Sequence, residues 1–355
     1  MTRSLPLCLA VSVSVLALAA CGEDRSPTQP EAAGAPAPDV ASLALASNTW
    51  TAKAPYPNLF GSFGLSAGVF PNSAGQSIVY TFGGTGDEGG TGVSIYAYNV
   101  ATNTWTTTGS RPDVDGFFMN GVGRIGSQLY FSGGRFSYQG GEEGSQATFA
   151  YDPAANRLTR KADMPRYTAE GVSGVIDGRL WVLPGICDDA YWPFPGYCAQ
   201  KPIRQLYRYD PAKNTWVARK AAPHNHRHAA GGVIDGKFYV AGGLDGYALS
   251  ANLDVYDPAT DTWRTLAPLP IAGGAVGTVL GGRLFVIVSS GTGLRAYAYD
   301  PGTNTWTTRA APTGLAAVVR VTLNGQAHLL AVGGFHDGPN PPGESIPNDS
   351  ELYTR

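Results

Sequence analysis

Three of the five histidines fall in one pentapeptide, His224-Asn225-His226-Arg227-His228. Imidazole is the side chain best suited to proton transfer near neutral pH, and a His-X-His pair is also a metal chelate. In an extended segment, alternation would set His224, His226 and His228 on one side. A second concentration of chemistry runs from Ile186 to Cys198 and carries Asp188, Asp189, Tyr191, Trp192, Phe194 and Tyr197. Aromatic rings beside carboxylates suit the apolar faces and hydroxyls of a sugar, or a peptide segment of a partner. The plainer alternative is a loop packed on itself, with Trp192 covering the body of the protein. His336-Asp337 opens a third stretch, Pro-rich up to Pro347, which reads as a lid or as an irregular connection.

Other chemistry is missing. The sequence holds no phosphate-cradling glycine loop, nucleophile elbow, metalloprotease helix or CxxC pair. Lys and Arg total 25 against 27 Asp and Glu, for a net charge of −2. That balance lacks the basic excess that phosphate backbones and anionic lipid surfaces attract, so no nucleic-acid partner is expected. Charged residues make up only 15% while hydrophobic residues hold at 43%, which excludes a disordered chain. The 47 Gly and 26 Pro argue against long helices.

The elements that must position these residues repeat along the chain. Tyr98, Tyr151, Tyr209, Tyr256 and Tyr299 are each followed by Asn or Asp and, seven positions on, by Trp105, Leu158, Trp216, Trp263 and Trp306. Runs such as Pro-Ala-Lys-Asn-Thr between them have the turn chemistry of a hairpin. Upstream of each Tyr lies an alternating apolar strand ending in two small residues: Gly83-Gly84, Gly133-Gly134, Pro184-Gly185, Gly242-Gly243, Val288-Ser289 and Gly333-Gly334.

Together these features resemble the kelch repeat, with a diglycine after the second strand, then a Tyr, then a Trp in the fourth. The resemblance covers about residues 47–355. Blades three and five depart at the diglycine, and blade three is read as also lacking the Trp. It implies an all-β fold, a six-bladed kelch-type β-propeller with four antiparallel strands per blade. Trp50 has no hairpin Tyr before it and Tyr353 has no Trp after it. The N-terminal strand is therefore expected to complete the last blade and close the ring. Loops joining strands two to three and four to one share one face, and that face is the expected site of function. The span from Gly185 to Tyr209 is its longest loop, and Arg135, Asp245 and His336 follow the small-residue strand ends of other blades. Matching the inner strands of blades three and four at Val175 and Val233 equates Arg166 with His224 and Glu170 with His228. Glu170 and His228 are thus candidates for an acid/base pair, with a solvated ion pair or a channel lining as the plainer alternative. Kelch inner strands commonly begin with Arg or His residues that only line the mouth, so no metal and no cofactor are assigned. Kelch-like galactose oxidases need a cysteine crosslinked to a tyrosine beside copper, which a shared loop for both mature cysteines does not provide.

The first residues combine Arg3, an apolar stretch from Leu5 to Ala20, and Leu18-Ala19-Ala20-Cys21. They read as a cleaved signal whose end resembles the lipobox of bacterial lipoproteins, with Cys21 lipidated. Residues 1–20 are then the signal, 21–46 the lipidated Cys and a flexible tether, and 47–355 the propeller. Cys8 leaves with the signal, so Cys187 and Cys198 remain and are expected to pair in an oxidising compartment. A zinc pair or a catalytic thiol would need partners that the neighbouring sequence lacks.

The leading functional expectation is a non-enzymatic binding module in the cell envelope, attached to the membrane through its lipid anchor only. Its partner would be a glycan or an envelope protein, and the propeller is expected to be a monomer. Ligand-binding candidates are Arg135, Arg166, Asp188, Tyr191, Trp192, His224, His226, Arg227, His228, Asp245 and His336. The rival is a sugar epimerase or mutarotase resembling periplasmic N-acetylneuraminate epimerase, with Glu170 and His228 catalytic and Arg166 and Arg227 binding a carboxylate. A purely structural role in an envelope assembly is a third reading.

Overall fold

A computed structural model describes residues 48–57, 64–83, 93–111, 120–138, 141–187, 201–291, 293–314, 317–333 and 350–355, without side chains at 93–94, 110–111, 135–138 and 141–143. The alternating apolar runs form strands, and turn sequences reverse them into antiparallel sheets of four. After β1 (Thr49–Lys53), the first sheet holds β2 (Ser66–Pro71), β3 (Ser77–Phe82), β4 (Val93–Asn99) and β5 (Thr104–Arg111). The second holds β6 (Val122–Ile125), β7 (Gln128–Ser132), β10 (Thr148–Asp152) and β11 (Arg157–Arg160), with the hairpin of β8 (Arg135–Tyr138) and β9 (Gly141–Gly144) inserted between β7 and β10. The third comprises β12 (Val172–Ile176), β13 (Arg179–Leu183), β14 (Tyr207–Asp210) and β15 (Thr215–Ala218). The fourth comprises β16 (Ala230–Ile234), β17 (Lys237–Ala241), β20 (Leu253–Asp257) and β21 (Thr262–Thr265), with a short hairpin of β18 (Leu244–Asp245) and β19 (Ala248–Leu249). The fifth runs through β22 (Gly274–Leu280), β23 (Arg283–Ser289), β24 (Leu294–Asp300) and β25 (Thr305–Arg309). The sixth joins β26 (Ala317–Leu323), β27 (Gln326–Val332) and β28 (Ser350–Thr354) to β1.

The inner strands touch in a closed cycle, β2 to β6, β12, β16, β22, β26 and back to β2, so the sheets are the blades of a six-bladed propeller. Near the axis the blades interlock. Gly68, Gly123, Gly174 and Gly232 each lie where a Cβ would meet a valine of the next inner strand, Val122, Val175, Val233 and Val279, at 2.6–2.8 Å. Only glycine admits that approach.

Further out, one motif ties the blades together. Tyr98, Tyr151, Tyr209, Tyr256 and Tyr299 donate their hydroxyls to the Asn or Asp five positions on, at 2.5–2.9 Å. Burial pushes the Tyr98, Tyr209 and Tyr256 hydroxyls up to about 12, which keeps each a donor. The acceptors Asn103, Asn156, Asn214, Asp261 and Asn304 all have positive φ, as short polar side chains tolerate. The sixth copy closes the ring: Tyr353 donates to Asn48 at 3.0 Å, Trp50 pairs with Tyr353 across β1 and β28, and the Trp50 indole N–H donates to the Ala310 carbonyl at 2.8 Å. The expected closure by the N-terminal strand is what the chain forms.

The expected lack of a Trp in blade three does not hold. Leu158 pairs with Tyr151 in β11, so the blade without its Trp is the second, while the third has Trp216.

Candidate functional site

Blades 3 and 4 bring their entry residues together. Glu170 and His228 each stand two residues before an inner strand, and the His228 amide donates to the Glu170 carbonyl at 3.0 Å. Their side chains meet as well, with His228 Nε2 2.9 Å from Glu170 Oε2 and the Arg227 guanidinium on the same oxygen. The carboxylate side chain is 1% exposed, Arg227 16% and His228 33%. A buried carboxylate is thus neutralised by a guanidinium and carries an imidazole toward solvent.

The small-residue strand ends make room for this cluster. A Cβ at Gly185 would meet the Glu170 carbonyl oxygen at 2.3 Å and Arg227 Cα at 2.8 Å, and one at Gly243 would meet the Arg227 carbonyl oxygen at 2.3 Å. The backbone itself is strained there. Among the described residues, the non-glycine positions with positive φ are Asn or Asp except for Glu170 (57°), His228 (52°) and Cys187 (98°). Glu170 and His228 belong to this site, and Cys187 packs with Ala169 beside it. Left-handed backbone at residues other than Gly, Asn and Asp clusters at functional positions because it costs free energy elsewhere avoided.

A second cluster lies in blade 4. Asp254 on β20 is fully buried, and its Oδ2 meets His224 Nδ1 at 2.9 Å and His226 Nε2 at 3.0 Å, while Thr265 donates to Oδ1 at 2.7 Å. His226 also donates from Nδ1 to the Gly242 carbonyl at 3.1 Å. Burial disfavours the Asp254 carboxylate, but hydrogen bonds from His226 and Thr265, attraction to His226 and the His224 contact outweigh it and hold its carboxyl below the ordinary value. Between the histidines, Asn225 donates to the Gly185 and Ile203 carbonyls at 2.7 and 2.8 Å, and its amide donates to Asp245 at 3.0 Å.

The pentapeptide is therefore not extended, and its histidines do not share one side. His224 and His226 converge on one carboxylate, while the left-handed turn at His228 sends that ring to blade 3. His226 is fully buried and holds the loop rather than facing a ligand. Among the described residues no group of three or more His, Cys, Asp or Glu is placed to hold a metal ion.

The relatives agree with this architecture. A family described as Kelch motif matches residues 226–270, the stretch from the pentapeptide through blade 4. Kelch-like protein 25 of Xenopus tropicalis is 27% identical over 209 residues, covering 58% of this chain and 29% of that protein. An F-box/kelch-repeat protein of Arabidopsis thaliana is 28% identical over 103 residues, covering 28% of this chain and 19% of that one. The chain thus spans less than a third of these curated relatives. A solved structure titled "Structure of YjhT" superposes with a TM-score of 0.65 at 17% identity, covering 86% of this chain and 97% of that one, which bears on the fold. The chain is a six-bladed kelch-repeat propeller.

Within the kelch propeller the remaining candidates separate. Arg166 is half-buried on the connection leading to Glu170, and Asp245 is exposed on the β18–β19 hairpin, whose β18 end bridges back to Arg227. Arg135 lies on β8, but its side chain is outside the described residues, as are Asp188, Tyr191, Trp192, Cys198, His336 and Cys21 altogether. Cys187 is buried and disulfide-bonded, with its partner outside the described residues.

Sequence reasoning missed Asp254, Thr265 and Asn225. A signal for Asp254 existed. The residue two before each repeat Tyr is Tyr96, Phe149, Tyr207 and Tyr297 in four blades, but Asp254 and Glu351 in the other two. An acid replacing an aromatic inside a strand needs a hydrogen-bond partner, and Glu351 has one in Thr313, whose hydroxyl donates at 2.6 Å.

Proposed function

We propose that the mouth between blades 3 and 4 is the ligand site of an extracytoplasmic binding module, and that the ligand is a glycan or a polar segment of an envelope protein. The convergence of Arg227, Glu170 and His228, the last two on left-handed backbone, carries this reading. Both carboxylates of the site are buried and each is paired with a cationic or imidazole group, so a ligand meets imidazole edges and the flank of Arg227. Those groups suit hydroxyls and carbonyls. The lipobox-like end at Cys21 supports attachment to the envelope, and the Cys187 disulfide supports an oxidising compartment, with Cys198 as the proposed partner.

One observation favours the rival enzyme. Glu170 holds His228 at 2.9 Å, the arrangement in which a buried carboxylate orients an imidazole for proton transfer. In an epimerase or mutarotase acting on a sugar, His228 would move the proton and Glu170 would position it without touching substrate.

Sugars and envelope fractions are screened by thermal shift and pull-down against the chain from Ala46 onward, and hits are repeated with His228→Ala and Glu170→Gln. A binding module loses about tenfold in affinity with His228→Ala and has no turnover to lose. An epimerase loses about a hundredfold or more in kcat while substrate still binds. The face is wrong if both substitutions are neutral while Asp177 or Arg179, on the opposite side, proves essential.

A further inference from the structure

One position of the repeat changes character in blade 3. The residue before the repeat Tyr is apolar and buried in five blades, as Ala97, Ala150, Val255, Ala298 and Leu352. In blade 3 it is Arg208. Arg208 pairs with Trp181 across β13 and β14 and with Val217 across β14 and β15, so the three side chains share one side of the sheet. That side faces blade 4, because the Trp181 ring meets Tyr256 at 5.3 Å. A guanidinium thus enters a junction where the other blades place an apolar side chain.

The charge enters without a counter-ion. Arg179, Arg219, Arg227 and Arg283 are half-buried too, and each meets a carboxylate, at Asp210, Asp261, Glu170 and Asp300. Among the described residues Arg208 makes no hydrogen bond or ion pair, its Nε is buried without an acceptor, and its guanidinium lies over the Trp181 ring at 5.8 Å. Its two Nη nitrogens are likewise unbonded but not buried, so they meet solvent. The Trp181 indole N–H is buried and lacks an acceptor as well. By contrast, Trp50, Trp105, Trp216, Trp263 and Trp306 all donate the indole N–H to a carbonyl of the blade before. Buried polar groups ordinarily find partners, so two neighbouring open donors, one of them cationic, mark a place short of an acceptor and of negative charge.

We infer that Arg208 anchors an oxyanion site at the junction of blades 3 and 4. The planar guanidinium matches the paired oxygens of a carboxylate, sulfate or phosphate, and its Nη edge is open to receive them. The Trp181 ring holds the guanidinium in place by cation–π attraction, and its N–H on the neighbouring strand is the second donor. The bound anion supplies the charge that the junction lacks.

The test follows thermal denaturation of the mature chain in sodium sulfate, phosphate and acetate, each against sodium chloride at equal ionic strength. Sulfate and phosphate stabilise proteins generally by exclusion from their surfaces, so the response that counts is the part lost in Arg208→Ala. That variant carries the residue that blades 1, 2 and 5 have at this position, and it should fold. Saturating sulfate should raise Tm by about 2 °C or more beyond its effect on the variant. Should Arg208→Ala fail to fold, Arg208→Gln keeps the length, loses the charge and serves the same comparison. Arg157→Ala, at an exposed position of β11, should keep the full response, which ties the effect to Arg208 rather than to net charge. Protection by acetate as well as sulfate assigns a carboxylate as the group bound, and protection by sulfate and phosphate alone assigns a tetrahedral oxyanion. The proposal is overturned if no anion separates the parent from the folded Arg208 variant, or if Arg157→Ala loses the response equally.

Discussion

The outer rim and the mouth of the propeller are cut from the same repeat, yet they use polar atoms in opposite ways. At the rim every blade spends its Tyr hydroxyl, its Asx side chain and, in five blades, its indole N–H on the same short-range partners. At the mouth Glu170, Arg227, His228, Asp254 and His226 occur once each, in two adjacent blades. A repeated contact must serve what all blades share, which is the closed ring. An unrepeated one is free to serve a ligand, and the backbone strain at Glu170 and His228 points the same way.

Breaking the rim should have the larger effect. Residues 47–54 supply β1, with the Trp50 indole against Tyr353 at 5.2 Å and Phe285 at 6.5 Å. Truncating a fully buried Trp costs about 3–5 kcal/mol; Trp50 is half-buried, but here a whole strand edge is exposed as well. Their deletion should therefore remove more than about 5 kcal/mol, a large part of an ordinary domain's stability, while deleting residues 22–44 should leave Tm unchanged. Equal melting temperatures for the two truncations would mean that the ring does not depend on this closure.

The rim was legible in the sequence because a ring imposes one spacing on every blade, and Tyr, Trp and paired glycines recur at it. The orphan halves at Trp50 and Tyr353 even disclosed the closure. The mouth was legible only in part. Inner-strand matching set Glu170 opposite His228, but alternation failed for the histidines, because a side chain's direction in a turn depends on φ and on cross-links such as those of Asn225. Asp254 breaks the aromatic pattern two residues before the repeat Tyr, but its role stayed hidden since the partners that explain it, His226 and Thr265, come from elsewhere in the chain.

The two regions can be compared again within blade 4, where a buried carboxylate supports the mouth from below. Asp254→Ala should cost about 3 kcal/mol or more, because it leaves Nε2 of the buried His226 without its carboxylate. The milder Asp254→Asn carries a pH signature. The Asp254 carboxyl lies below its ordinary value of 3.8 in the folded chain, so its contribution is present above that value and decays as pH falls through the lower folded one. In urea titrations the gap between the protein and Asp254→Asn should narrow below about pH 4. A gap that widens on acidification would contradict the arrangement of His226 and Thr265 around an ionised Asp254.

The smallest effect separates two copies of the rim itself. Tyr209 donates to the neutral Asn214 at 2.6 Å, whereas Tyr256 donates to Asp261 at 2.5 Å, with Arg219 beside both Tyr256 and Asp261. Tyr209→Phe should cost about 1 kcal/mol, the ordinary net worth of such a hydrogen bond. Tyr256→Phe gives up a bond to a charged acceptor, for which about 1.5 kcal/mol is expected, at the low end of the charged range because the Asp261 side chain is 42% exposed. Chemical denaturation resolves a difference of this size when both variants keep the parent slope. If the two substitutions cost the same, blade 4 differs from its neighbours at the mouth alone, and the charge at Asp261 adds nothing to the rim.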